Sequence, residues 1–290
     1  MPKDTVAFIG LGMMGMPMAR CLARAGYPLL LRDMDEGRTN ALCTELGARP
    51  LESDSAGEAG ALITMLPNSD IVEEVLMAQG WADRLPQGAT IIDMSSSVPT
   101  RSRTLAAALA EKGLGYLDAP VSGGVKKAEE GALAILVGGA PDLMERWQSL
   151  LGAMGGSTLH IGEAGAGHAA KALNNYVSAC GLMATVEALH VAERFGIAPE
   201  AMTKVLNASS GRTNTSENKV AQFMLNGTFA SGFSLKLMDK DLSIAAELAR
   251  DLSYPMQLGE HGIALWHRIA EGVDVGADHT EMYALMAQEG

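Results

Sequence analysis

Val6-Ala7-Phe8-Ile9 runs directly into Gly10-Leu11-Gly12-Met13-Met14-Gly15, and the reading of this junction decides the fold. A short apolar run ending in glycines reads as a buried strand, and the stretch after it, Met16–Ala25, reads as an amphipathic helix. In a strand–turn–helix context each glycine has a distinct use. The first permits the tight turn, the second lets the backbone approach a pyrophosphate, and the third allows close packing of helix on strand. The helix start then offers unpaired N–H groups and a partial positive charge to the phosphates. The whole turn, Gly10, Leu11, Gly12, Met13, Met14 and Gly15, is therefore a candidate cofactor contact. Alone the glycine pattern is weak, because glycine is common; its position gives it weight. Met13, Met14, Met16 and Met18 cluster here and read as adaptable packing against sheet and cofactor.

Working outward, a second apolar run, Leu29-Leu30-Leu31, ends at Arg32-Asp33. Asp33 lies eighteen positions beyond Gly15, where an acidic side chain would accept hydrogen bonds from the adenosine ribose hydroxyls. A carboxylate there repels a 2′-phosphate and favours NAD. Arg32 and Arg38 nearby are what a 2′-phosphate would want, so NADP stays open.

The alternation continues. Ala61-Leu62-Ile63-Thr64-Met65, Thr90-Ile91-Ile92-Asp93, Tyr116-Leu117-Asp118, Ala134-Ile135-Leu136-Val137 and Ser157-Thr158-Leu159-His160 read as strands, with helix-like stretches at Ser69–Ala78, Thr100–Lys112 and Asp142–Met154. Strand and helix in turn imply an α/β fold: a Rossmann-type, doubly wound, mostly parallel sheet covered on both faces. After the glycine-rich break Gly162-Glu163-Ala164-Gly165-Ala166-Gly167 the pattern changes. Ala166–Phe195 is nearly all helix formers without proline, a helix of roughly 45 Å. Helical signal resumes at Pro199–Leu206, Leu235–Asp251 and His261–Glu271, with no strand pattern. The expected domains are residues 1–163, dinucleotide-binding, and 164–290, an all-α domain joined through the long helix.

Composition sets the class. The 290 residues are 48% hydrophobic and 19% charged, enough for real cores and few disordered tails. A net charge of −12 without a Lys/Arg cluster argues against nucleic-acid or anionic-membrane partners. Cys21, Cys43 and Cys180 are too scattered for a disulfide framework, and the six histidines show no metal-ligand spacing, so no metal is expected. The start Met1-Pro2-Lys3-Asp4 has no signal-peptide core, and no apolar run approaches the roughly 20 residues of a membrane span. A cytoplasmic protein is expected.

Two further segments carry candidate chemistry. At Asp118-Ala119-Pro120-Val121-Ser122-Gly123-Gly124 a strand gives way to a loop with one hydroxyl and two glycines. Such a loop can present Ser122 Oγ and backbone N–H groups to a carboxylate, although by itself it could equally be an ordinary turn. Lys171 and Asn175, in His168-Ala169-Ala170-Lys171-Ala172-Leu173-Asn174-Asn175, are i and i+4 and project from one helical face. A helical lysine is normally a solvated surface residue. Here its neighbours are nearly uncharged, so the amine can lose solvation and serve as an acid/base.

Together these segments resemble the β-hydroxyacid dehydrogenase family, which includes 3-hydroxyisobutyrate dehydrogenases and tartronate semialdehyde reductases. The resemblance covers essentially the whole chain and extends to Met65-Leu66-Pro67-Asn68, Asp93-Met94-Ser95-Ser96 and Gly232-Phe233-Ser234-Leu235-Lys236-Leu237-Met238-Asp239-Lys240-Asp241-Leu242. It implies an NAD(P)-dependent oxidoreductase acting on the CH–OH group of a small hydroxy acid. Lys171 resembles the catalytic lysine and Asn175 its partner in orienting substrate; Ser122, Gly123 and Gly124 resemble the loop that holds the substrate carboxylate. Leu66, Pro67, Ser96, Phe233 and Lys240 match cofactor positions, with Ser96 where threonine is commoner. The resemblance also implies a homodimer or homotetramer, and substrate choice through Ser209-Ser210-Gly211-Arg212-Thr213-Asn214-Thr215. Two alternatives are an imine-reductase-like NADPH enzyme, which generally lacks the Lys/Asn pair, and a non-catalytic dinucleotide-binding partner protein, which loses the lysine. This chain keeps both Lys171 and Asn175.

Overall fold

The structure, a computed structural model, describes residues 3–288; the Met1-Pro2 start lies outside them. The chain divides into two compact units, Met1–Lys171 and Ala172–Gly290. The sequence puts the division at residue 163, at the glycine-rich break; the compact units part inside the helix that follows.

In the first unit the order is β1 (Thr5–Ile9), α1 (Gly15–Arg24), β2 (Leu29–Arg32), α2 (Glu36–Leu46), β3 (Arg49–Pro50), β4 (Ala59–Thr64), α3 (Ser69–Glu73), β5 (Thr90–Asp93), α4 (Pro99–Glu111), β6 (Gly115–Asp118), β7 (Val121–Ser122), α5 (Gly124–Glu130), β8 (Leu133–Gly139), α6 (Pro141–Met154) and β9 (Gly155–Gly162). The sheet order is β3-β2-β1-β4-β5-β6-β8-β7, with β9 on β8. Strands β1 to β6 pair in parallel, whereas β8 runs antiparallel to β6 and β7. The order reverses at β1, so β1 and β4 part their connections to opposite faces, and that crevice is where open α/β sheets take ligands.

Alternation along each strand builds two cores. Val6 and Phe8 pack with Met18, Leu22, Trp147 and Leu151 on one face, while Ala7 and Ile9 pack with Leu62, Leu76, Ile91 and Leu109 on the other. The helix ends follow local chemistry. Asp35 caps α2 by accepting from the Arg38 N–H at 3.0 Å, and Gly47 closes it at φ 64°. Pro99 and Pro141 open α4 and α6, where their fixed φ suits the first turn and the missing N–H costs nothing.

Helix α7, Ala166–Phe195, is the long element the sequence predicts. The second unit adds α8 (Pro199–Ala208), α9 (Asn214–Asn218), α10 (Leu235–Asp251), α11 (Gln257–Glu271) and α12 (Met282–Gln288). Leu182, Val186, Leu189, Leu242, Trp266 and Met282 form its core, and Trp266 Nε1 donates to the Leu235 carbonyl at 3.1 Å. No helix among the described residues is long and apolar enough to cross a membrane.

Candidate active site

The glycine turn has the shape its sequence demands. Gly10 sits at φ 101°, and a Cβ there would strike the Met65 backbone. A Cβ on Gly15 would collide with the Gly10 carbonyl, so helix and strand approach closely only because both are glycine. Gly12, between them, faces open space. Helix α1 has no side-chain cap and no acid in its first turn, which leaves its amide dipoles directed at whatever anion lies over the turn. These residues fit the pyrophosphate of a dinucleotide. Of the methionines, Met18 is fully buried, Met14 and Met16 pack on the core, and Met13 is 71% exposed.

Asp33 is tied into the same turn. Its Oδ2 accepts from the Leu11 N–H at 2.6 Å, and its Oδ1 accepts from the Asp35 N–H at 3.0 Å and from Arg38 Nη1 at 3.2 Å. Arg38 is thus paired to Asp33 and, at 3.5 Å, to Asp35. Arg32 points elsewhere, over the Trp81 ring at 4.9 Å. Leu66 and Ser96 are half-buried near the ends of β4 and β5, and the Leu66 N–H donates to Ser95 Oγ at 2.9 Å. Pro67 is exposed, with Asn68 beside it capping α3.

Val121–Ser122 is a two-residue strand on β8 rather than a free loop. Ser122 and Gly123 are exposed, and Gly123 and Gly124 take φ of 134° and 69°, so the chain turns sharply here. Lys171, half-buried on the first turns of α7, donates from Nζ to the Val121 carbonyl at 3.0 Å. The amine and the hydroxyl-bearing strand are therefore neighbours. Further along α7, Asn175 Nδ2 donates to Asp241 Oδ2 at 2.6 Å, and Asn174 Nδ2 donates to Asn175 Oδ1 at 3.1 Å. Asp241 is buried and accepts only, so the amide of Asn175 is fixed in direction. In the second unit Phe233 meets the His279 ring edge-on at 5.6 Å, and Lys240 is half-buried on α10.

Three buried polar residues to which the sequence assigns no chemistry belong to the same strand ends and helix start. Asp93 and Asp118 end neighbouring strands in register and are fully buried, and His168 lies against both. Burial, with these two carboxylates nearby, pushes the Tyr116 hydroxyl well above its ordinary range. The available signal was two strands each closing on Asp. Among the described residues no group of three His, Cys, Asp or Glu side chains could hold a metal ion.

Comparison with known proteins agrees with the turn and the sheet. Residues 5–162 match the family described as the NAD binding domain of 6-phosphogluconate dehydrogenase, and residues 165–286 that described as the NAD-binding of NADP-dependent 3-hydroxyisobutyrate dehydrogenase. Fold and matches define an oxidoreductase that uses NAD, or NADP, as its cofactor. Among its relatives, 2-(hydroxymethyl)glutarate dehydrogenase of Eubacterium barkeri is 38% identical over 87% of this chain and 85% of its own. The mitochondrial 3-hydroxyisobutyrate dehydrogenase of Homo sapiens is 38% identical over 89% and 79%. A solved 3-hydroxyisobutyrate dehydrogenase of Mycobacterium tuberculosis, with L-serine, superposes at TM-score 0.91 over 98% of this chain and 99% of that one, at 30% identity. The chain belongs to the β-hydroxyacid dehydrogenase family. It is an NAD(P)-dependent dehydrogenase.

Proposed function

We propose that the enzyme oxidises the hydroxyl of a small β-hydroxy acid of the 3-hydroxyisobutyrate kind, or reduces the matching semialdehyde, with Lys171 as acid/base. One observation carries this reading: the Lys171 amine rests on the carbonyl of Val121, immediately before Ser122. An amine there stands beside a hydroxyl and two glycine amides suited to a carboxylate, so one small acid can meet both groups. Ser122 Oγ and the Gly123 and Gly124 N–H groups hold the substrate carboxylate. Lys171 Nζ takes the hydroxyl proton in oxidation and returns it in reduction. Asn175, whose amide direction is set by Asp241, is assigned to orient the hydroxyl on the family resemblance. The nicotinamide cofactor, when bound, supplies the hydride acceptor or donor.

Backbone at Gly10, Leu11, Gly12, Met13, Met14 and Gly15 cradles the cofactor's phosphates, Asp33 its ribose, and Leu66, Pro67 and Ser96 line it. Phe233 and Lys240 are assigned to the cofactor on the family resemblance. Holding the acid at its carboxylate makes the transfer effectively unimolecular, which is where much of the rate arises. The chain acts as a homo-oligomer, an assignment supported by the exposed apolar side chains Leu173, Val177, Val191 and Phe195 along α7. The test is reduced-cofactor formation by the purified protein with a panel of small β-hydroxy acids, L-serine included, against NAD and NADP. Turnover with at least one acid, and preference for NAD, is expected. Cofactor binding without turnover of any β-hydroxy acid contradicts the reading.

A further inference from the structure

We propose that His168 is a positioning residue for Lys171: packed between the Asp93 and Asp118 side chains, it locks the first turn of α7 to the strand ends and so aims the amine one turn further on. The inference rests on the acid/base reading of Lys171.

The strand register sets the problem. Asp93 and Asp118 lie opposite each other at the carboxyl ends of β5 and β6, and both are completely buried. Buried carboxylates persist only where donors replace water. Asp93 receives Thr64 Oγ1 at 2.9 Å, the Ser95 N–H at 3.1 Å and Ser97 Oγ at 2.9 Å. Asp118 receives backbone groups from α7 and the turn before it, the Gly165 N–H at 2.7 Å and the His168 N–H at 2.9 Å. A strand carboxylate therefore does for α7 what a capping side chain usually does, and the helix dipole strengthens it. This docking requires glycine at 167, because a Cβ there would strike the Leu136 and Asp118 carbonyls.

The His168 ring completes the lock. Its Nε2 lies 3.8 Å from Asp93 Oδ2 and its Nδ1 3.8 Å from Asp118 Oδ2. Nε2–H donates to the Ser95 carbonyl at 3.1 Å, since a carbonyl only accepts, and Nδ1 meets Ser102 Oγ of α4 at 2.9 Å. The ring thus ties α7 to the segment after β5 and to α4, while the His168 backbone N–H ties it to β6. Only 2% exposed, His168 is shielded from any substrate and must act through its neighbours. Lys171 follows three residues on along the same helix and reaches Val121 just beyond Asp118. The Asp118–Ser122 segment consequently holds the helix at one end and the amine at the other.

A double-mutant cycle on the intact enzyme tests this. His168→Leu should lower kcat at least tenfold, about the cost of a misaimed catalytic group, with the dissociation constant for NAD unchanged within about twofold. His168→Gln, which keeps a donor for Ser95 and an acceptor for Ser102, should restore most of the turnover. On a Lys171→Ala background His168→Leu should cause no further fall, because its effect passes through the missing amine. Ser102→Ala, a gentler change, should behave alike on a smaller scale and serves if His168→Leu does not fold. An equal fall with and without Lys171, or unaltered kcat in the single variants, overturns the proposal. Full turnover in Lys171→Ala alone overturns the acid/base reading, and this inference with it.

Discussion

Asp33 is the carboxylate to which we assign the cofactor preference. It accepts the Leu11 N–H of the glycine turn and a hydrogen bond from Arg38. Asp33→Asn removes the negative charge and leaves Arg38 with only the Asp35 carboxylate of its two partners. The ratio of kcat/KM for NAD to that for NADP should then fall about tenfold or more, the scale of losing one charged hydrogen bond; an unchanged ratio would separate Asp33 from cofactor choice. Asp33, Ser122 and Lys171 stand out as candidates in the sequence because each sits in a short motif with a chemical reason for its residue type. His168 does not. Its importance comes from Asp93 and Asp118 lying in register, and register between β5 and β6 is a property of the folded sheet.

At the scale of elements, long periodic stretches read well and short ones poorly. Ala166–Phe195 and Leu235–Asp251 have the bounds that the sequence predicts, since many helix formers add up over such lengths. Strands β3 and β7, two residues each, carry no periodicity, and Pro50 argues against a strand at all. Ser69–Ala78 reads as one helix but is a short α-helix passing into a π turn at Glu74–Ala78. The reversal of β8 was equally hidden. Apolar content marks Ala134–Val137 as a buried strand but not its direction, which follows from the excursion through β7 and α5. Strand β7 bears on the proposed mechanism, because it carries the Val121 carbonyl that receives the lysine.

For the whole molecule, acid stability is the property these side chains set most clearly. In the second unit burial lowers the His279 pKa to about 4, and the Lys219 charge adds to this. Burial also lowers the pKa of Lys219. For Asp278 burial acts upward, but hydrogen bonds from Thr280 and Ser231 outweigh it and hold the carboxyl below its ordinary value. Between pH ~6.5 and ~4 the unfolded chain binds a proton at His279 that the folded chain refuses. Its stabilising contribution is complete above that window and is lost as pH falls through it, up to about 3 kcal/mol. Urea unfolding followed across this range should show midpoints falling with acid, and His279→Gln should flatten the slope. A midpoint that held constant from pH ~6.5 to ~4 would contradict it.

The most direct measurement is the turnover number of Lys171→Ala with the best β-hydroxy acid, beside its affinity for NAD. A fall in kcat of at least ~100-fold with NAD binding retained is predicted, the lower end of what acid–base catalysis contributes. Turnover close to that of the unaltered enzyme would contradict the role given to the amine.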